Sequence, residues 1–166
     1  MSALKLRAEM LQSIRKFFDR NIRTTEAAPG RGAEHALQVA TAALLFETMR
    51  TDGEMKDAER HAVTAAVQKR FSLSKEETNE LLRLAEAEAA QATDYFQFTA
   101  LINEHYTAAQ KEQIVENLWQ VAAADHEIDR FERTLVHKVA DLLYVPRPAQ
   151  IAARERAMRG VHQSSK

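Results

Sequence analysis

Six acidic side chains occupy matching positions in two stretches of the sequence that lie 73 residues apart. They are Asp52, Glu54 and Glu59 in the first copy and Asp125, Glu127 and Glu132 in the second. Carboxylate oxygens crowded around a tight turn are the ligands that Ca²⁺ takes, about six to eight at a time. The pattern therefore predicts a weakly bound divalent cation, such as Ca²⁺ or Mg²⁺, at these turns.

A second interpretation assigns the same side chains to the ends of helices. In it, the aspartate of each copy closes one helix, and the later glutamate, Glu59 or Glu132, stabilises the start of the next or pairs with the arginine that follows it. Neither turn has the Asp-x-Asp-x-Asp-Gly spacing of an EF-hand loop, and each copy alone supplies two or three carboxylates. The sequence leaves both interpretations open.

The two copies differ at two positions. Gly53, which would adopt a left-handed conformation after a helix, is replaced by His126 in the second copy. Asp129 fills a helix-cap position in the second copy, whereas Lys56 stands there in the first. These differences argue against two equivalent ion sites.

Apolar residues repeat in the same register as the acidic ones. The matched pairs are Leu45 with Leu118, Phe46 with Trp119, Met55 with Ile128, Val63 with Val136, Val67 with Ala140 and Phe71 with Tyr144. A shared apolar frame around identical charged residues is typical of an internal repeat. We infer two related helix–turn–helix halves, over about 43–92 and 108–159, that face each other across one core.

Helical periodicity covers most of the chain. One apolar stripe predicts a first helix over about 3–23, and it consists of Leu4, Leu11, Ile14, Phe18 and Ile22. A capping box, in which a Glu or Gln follows three residues after a side-chain oxygen, predicts four later helix starts. These starts fall at Ser74, Asp94, Thr107 and Asp129.

The pattern as a whole predicts an all-α, single-domain bundle of about eight helices. An N-terminal helix and loop would occupy residues 1–30, and the helical domain with the repeat would occupy 31–160. The last helix would end near Arg159, before a frayed tail over 161–166.

The composition excludes several classes of protein. Four glycines and three prolines in 166 residues are too few for the turns of a β-sandwich or barrel. The absence of cysteine excludes disulfides, thiolate zinc sites, Fe–S clusters and a cysteine nucleophile. The net charge is −1, and the acidic excess lies in residues 41–110, so no overall field recruits nucleic acid. No stretch is apolar enough to span a bilayer, and we expect a soluble, cytoplasmic protein.

No sequence motif of an enzyme is present. The six histidines form neither a His-Glu-x-x-His zinc motif nor the paired Glu-x-x-His motifs of a di-iron bundle. The glycine motifs of phosphate loops, dinucleotide sites and hydrolase elbows are also missing from the sequence. We therefore predict no catalytic and no cofactor-binding residue.

The stretch Asp52-Gly-Glu-Met-x-x-x-Glu59, its second copy and the helices between them resemble the TerB-like family of tellurite-resistance proteins. The resemblance covers roughly residues 35–158, and the same domain occurs in J-domain co-chaperones. It implies an all-helical, pseudo-symmetric domain of the bacterial cytoplasm, linked to stress or metal-oxyanion resistance, with no established catalytic activity. It also implies that the six acidic residues form a surface that binds a metal or a partner.

We therefore predict a non-enzymatic module that binds a protein partner, a divalent cation or both at the acidic turns. Two alternatives stay open: a metal-dependent enzyme that uses the same carboxylates, and an oligomeric scaffold. A homo-oligomer would join through the short middle helix, which is otherwise expected at the centre of the bundle. Its apolar residues are Tyr95, Phe96, Phe98, Leu101 and Ile102.

Overall fold

The computed structural model describes residues 2–23, 31–50, 55–91, 96–124 and 129–164. In these ranges the chain forms eight α-helices and no β-strand, which confirms the predicted all-α class. The helices are α1 (Ala3–Phe17), α2 (Arg31–Met49), α3 (Asp57–Arg70), α4 (Lys75–Ala90), α5 (Gln97–His105), α6 (Ala108–Ala124), α7 (Asp129–Leu142) and α8 (Arg147–Ser164). α8 continues beyond its predicted end, so the start of the predicted frayed tail is helical.

α2 and α6 form the centre of the bundle. α2 is buried without interruption from Val39 to Met49. It packs against α4, α6 and α7, and α6 packs in turn against α7 and α8. Asn117 of α6 also donates from Nδ2 to the Thr41 hydroxyl of α2 at 3.3 Å. A helix that is buried on all sides occupies the centre of a fold. The core therefore lies around α2 and α6, the two helices that precede the acidic segments in the sequence.

Only the later part of the apolar stripe of α1 lies in the core. Leu4 is 80% exposed, whereas Met10 and Ile14 are buried. The first turns of α1 extend past the α4 and α5 surfaces on which the rest of the helix packs. The exposure of Leu4 shows that helical periodicity indicates which face of a helix is apolar and not where the neighbouring helices end.

α1 passes into a π-helical turn over Phe18–Ile22. The turn is closed by the Arg23 N–H, which donates to the Phe18 carbonyl at 2.8 Å. A π-helical turn accommodates one residue more than an α-helical turn. Phe17 and Phe18, which are adjacent in the chain, are both buried at this point.

α3 and α7 end with the same backbone motif. Ser72 and Tyr144 follow these helices with positive φ angles of 51° and 58°. In both cases the N–H of the next residue donates to the carbonyl five residues before it at 3.1 Å, and that next residue, Leu73 or Val145, is buried. This is the Schellman ending of a helix, and α3 and α7 share it.

The shared ending corrects the register of the repeat by one residue. Phe71, just before Ser72, is buried, and its structural counterpart is the buried Leu143, just before Tyr144. Tyr144 itself is 82% exposed. The predicted match of Phe71 with Tyr144 is therefore wrong, because the helix starts Asp57 and Asp129, like Ser72 and Tyr144, lie 72 and not 73 positions apart.

Two of the predicted capping boxes are confirmed. The Ser74 hydroxyl accepts from the Glu77 N–H at 3.0 Å, and the Glu77 carboxylate accepts from the Ser74 N–H at 2.8 Å. Thr107 and Gln110 make the same exchange at 3.2 and 2.8 Å. The box predicted at Asp129 depends on side chains that lie outside the described residues.

Glu77 is expected to make the protein less stable in acid. Burial opposes its ionisation, but hydrogen bonds from Ser74 and His35 outweigh burial and hold the pKa of Glu77 below its ordinary value. His35 Nε2 lies 2.9 Å from Glu77 Oε2. Because the pKa is depressed in the folded state, the stabilisation is present above the unfolded-state pKa and is lost as the pH falls through the folded-state pKa.

Glu77→Gln keeps an acceptor for the capping box and removes the charge, so it should reduce the loss of stability between about pH 5 and pH 3. Urea unfolding midpoints measured across this range test the expectation, with Glu76→Gln as the control because Glu76 is an exposed residue of the same helical turn. Identical pH profiles for wild type and Glu77→Gln would contradict it.

Candidate binding site beside the acidic turns

Most of the predicted ligands lie outside the described residues. These are Asp52, Glu54, Asp125, Glu127 and the side chain of Glu132. Glu59 is the predicted ligand whose side chain the structure places. The site is therefore built here from the residues on either side of the two turns.

Glu59 stabilises the start of α3. Its Oε2 accepts from the backbone N–H of Lys56 at 3.3 Å. A capping box would also need an acceptor on the Lys56 side chain, and an ammonium group has none, so only this half of the exchange forms. Glu59 thus makes the helix-start contact that the second interpretation of the acidic residues expects.

Both ends of the first turn are attached to the core. Arg60 Nη1 donates to the carbonyl of Met49, the last residue of α2, at 2.7 Å. Met55, which follows the turn, is buried. The described residues that flank 51–54 in the chain are therefore held by the packing of α2 and α3.

A cavity of about 390 Å³ lies between α2, α3 and α4, and we call it the first-turn groove. The buried side chains of Phe46 and Met49 form its floor, and the exposed Asp57, His61 and Glu86 lie at its edge. Met49 and Asp57 also bracket the first turn along the chain. The groove therefore lies where the first acidic turn joins the fold.

A second cavity of about 340 Å³ lies between α3 and α6. Ala124, the last residue of α6 before the second turn, lines it together with Val121 and with the exposed cations Lys69 and Arg70. Charges of both signs line the first-turn groove, whereas the charged side chains recorded here are basic. The two turns thus have different surroundings, in agreement with the sequence differences between the copies.

Two buried carboxyls that no sequence motif marks hold the start of α5. Glu47 of α2 and Glu88 of α4 are both fully buried. Glu47 accepts from the Phe98 N–H at 2.8 Å, and from the N–H and hydroxyl of Thr99 at 3.1 and 2.7 Å. Glu88 accepts from the Gln97 N–H at 3.1 Å. Three consecutive N–H groups of a helix N-terminus are thus satisfied by side chains from two other helices.

α5 begins at Gln97 with Phe96 as its N-cap, so the helix starts later than the predicted position at Asp94. Asp94 itself, and with it the predicted capping box, lies outside the described residues. One sequence signal could have indicated the long-range cap. It is the carboxylate of Glu47 among the mostly apolar residues at the end of α2. A buried charge requires strong partners, although the sequence does not identify them.

Arg50 connects the buried carboxyls with the first-turn groove. Its Nη2 lies 3.7 Å from Glu88 Oε2, and its guanidinium lies over the Phe96 ring at 5.1 Å from the centroid. Arg50 also lines the groove. Burial, reinforced by the neighbouring Glu88, raises the pKa of Glu47 well above its ordinary value.

The short middle helix, α5, lies in the core. Phe98 and Ile102 are buried, and Tyr95 lies outside the described residues. α5 packs against α1 and α2, and Asn103 Nδ2 donates to the carbonyl of Leu142 in α7 at 3.0 Å. The expected central position, between the two halves, is confirmed for this part of the chain.

The described ranges contain neither a cluster of metal-ligating side chains nor a membrane-spanning helix. No group of three or more histidine, aspartate or glutamate side chains is placed there to hold a metal ion. Over the same residues, none of the helices combines the length and apolar character needed to cross a membrane.

One protein-family model matches most of the chain. Residues 38–155 match the model of the family described as tellurite resistance protein TerB. The matched span contains both acidic segments, the helices α3 to α7, most of α2 and the first half of α8. Comparison with curated proteins and with solved structures returns no match.

Proposed function

The chain belongs to the TerB family of tellurite-resistance proteins, and from this premise we propose that it is a non-enzymatic cytoplasmic module that binds through its two acidic turns. The ligand in this proposal is a divalent cation, a partner protein or both. The family supports a setting in tellurite resistance or a related stress response.

The observation that carries the proposal is the position of the first-turn groove. An apolar floor with charges of both signs at the edge is the surface that suits a protein segment. The groove begins where α2 ends and α3 starts, which is also where Asp52 and Glu54 enter the chain. A cation held by the turn carboxylates would lie next to a partner in the groove, so the two forms of the proposal are compatible.

Addition of Ca²⁺ is expected to shift the backbone amide NMR signals of residues 51–59 and 124–132. The affinity should be low, with a dissociation constant on the order of 10⁻⁴ to 10⁻³ M, because each turn supplies few carboxylates. Mg²⁺ should act more weakly, since it holds its water and demands near-octahedral geometry.

Amides at the exposed start of α1, around Leu4, provide an internal control because they lie on a different element from both turns. Shifts there of the same size as at the turns would indicate a general salt effect. If saturating Ca²⁺ moves neither turn, the cation form of the proposal fails.

A further inference from the structure

The buried carboxyls of Glu47 and Glu88 meet at the N-terminus of α5, where they accept from the N–H groups of the consecutive residues Phe98 and Gln97 at 2.8 and 3.1 Å. An ionised carboxylate is an acceptor only, so two ionised carboxylates in this buried site would repel each other and neither could donate to the other. Burial and the neighbouring Glu88 raise the pKa of Glu47, in the direction of a protonated carboxyl.

A buried oxygen gives independent evidence for the proton. Glu88 Oε1 is buried and has no hydrogen-bond donor among the described protein groups when both carboxyls are ionised. Its other oxygen, Oε2, already accepts from the Gln97 N–H. A proton on Glu47 would provide the missing donor, and a buried polar atom without a partner is costly.

The described groups that face the pair include one cation. It is Arg50, which follows α2 and whose Nη2 lies 3.7 Å from Glu88 Oε2. α5 contributes backbone N–H groups and the Thr99 hydroxyl. A second carboxylate charge in this buried site would be costly.

We propose that Glu47 and Glu88 share one proton at neutral pH, and that this proton holds the first turn of α5 against α2 and α4. Removal of the proton at alkaline pH places two carboxylates side by side, so the first turn of α5 separates from them. A group whose pKa is raised in the folded state stabilises the fold at low pH, and this contribution is lost as the pH rises through the folded-state pKa. The contact between this pair and the first turn of α5 therefore depends on pH.

The test measures amide hydrogen exchange by NMR at Gln97, Phe98 and Thr99, expressed as protection factors so that the intrinsic pH dependence is removed. In the wild type the protection should fall by up to about tenfold per pH unit, as expected for one proton, from the ordinary pKa of a carboxyl exposed by opening up to the pH at which the closed pair loses its proton. Above that pH it should become constant. Protected amides in the middle of α6 should show no such fall.

Glu88→Gln is the diagnostic variant. Its amide oxygen can accept from the Gln97 N–H, and its NH₂ group can donate permanently to Glu47, so no shared proton is needed. The protection of Phe98 and Thr99 should then be independent of pH between about pH 6 and pH 9. Glu76→Gln, an exposed change on the same helix and outside the first-turn groove, should keep the wild-type profile.

Infrared spectroscopy of the wild type tests the proton without any substitution. The C=O stretch of a protonated carboxyl should be present at neutral pH, retained in Glu76→Gln and lost in Glu88→Gln, where Glu47 is ionised. The proposal is overturned if the wild type shows no protonated carboxyl at neutral pH. It is also overturned if Glu88→Gln folds but keeps the pH-dependent exchange of the wild type.

Discussion

Replacing Glu47 with alanine is expected to lower the free energy of unfolding by about 3–5 kcal/mol, because the loss of one partner leaves several buried groups unsatisfied. The Phe98 N–H and the N–H and hydroxyl of Thr99 would lose their acceptor. Glu88 would also lose the carboxyl that faces it. For a chain of this length the Tm should fall by roughly 6–20 °C, which calorimetry or circular dichroism measures directly.

Two other substitutions separate this effect from a general loss of charge. Glu47→Gln keeps the shape and one acceptor oxygen, so its cost should be smaller, on the order of 1–2 kcal/mol. Glu86→Ala removes an exposed carboxylate from α4 and should change stability by no more than about 0.5 kcal/mol. Equal stabilities for Glu47→Ala and Glu86→Ala would show that the α5 cap does not stabilise the fold.

The corrected register of the repeat predicts opposite results at two residues that match in the sequence. Phe71→Ala should cost about 3–5 kcal/mol, because it removes a buried aromatic ring from the core. Tyr144→Gly should instead stabilise the protein by about 1 kcal/mol. The Tyr144 side chain is 82% exposed and its φ is 58°, a conformation that glycine adopts without the steric cost of a Cβ.

Urea unfolding of the two variants measures this contrast, and Leu143→Ala extends it. Leu143 is the structural counterpart of Phe71, so its truncation should cost about 2–5 kcal/mol. A large destabilisation by Tyr144→Gly with little effect of Leu143→Ala would restore the original match and refute the one-residue shift.

Local sequence signals predicted much of the secondary structure. The boxes at Ser74 and Thr107 are predictable because the donor and the acceptor lie three residues apart and the same exchange forms in any helix. The start of α5 is different. Its capping acceptors are Glu47 and Glu88, which are far from Gln97 in the sequence. No sequence pattern near Gln97 indicates them.

The repeat predicted the pairing of the two halves but not its exact register. Matching by position assumed one spacing of 73 residues, whereas the starts of α3 and α7 and the left-handed residues Ser72 and Tyr144 lie 72 positions apart, which leaves Tyr144 on the surface. The exposure of Leu4 has a related cause. A stripe of apolar residues predicts a buried face, and only the packed structure shows how far the neighbouring helices extend along it.

The candidate site was predicted in part. Glu59 could be assigned from its spacing to the start of α3, and the structure places it there. The first-turn groove could not be predicted, since α2, α3 and α4 form it together. Arg50 shows the same limit. It is an ordinary residue at the end of a helix in the sequence, and in the fold it contacts Glu88 and Phe96 and lines the groove.

The most direct test of binding at the acidic turns is a Ca²⁺ titration followed by amide NMR in three proteins. They are the wild type, a first-turn variant with Asp52→Asn and Glu54→Gln, and a second-turn variant with Asp125→Asn and Glu127→Gln. Our account predicts that each variant loses the shifts at its own turn and retains them at the other. Shifts that persist unchanged at a neutralised turn, or a wild type in which neither turn responds, would contradict it.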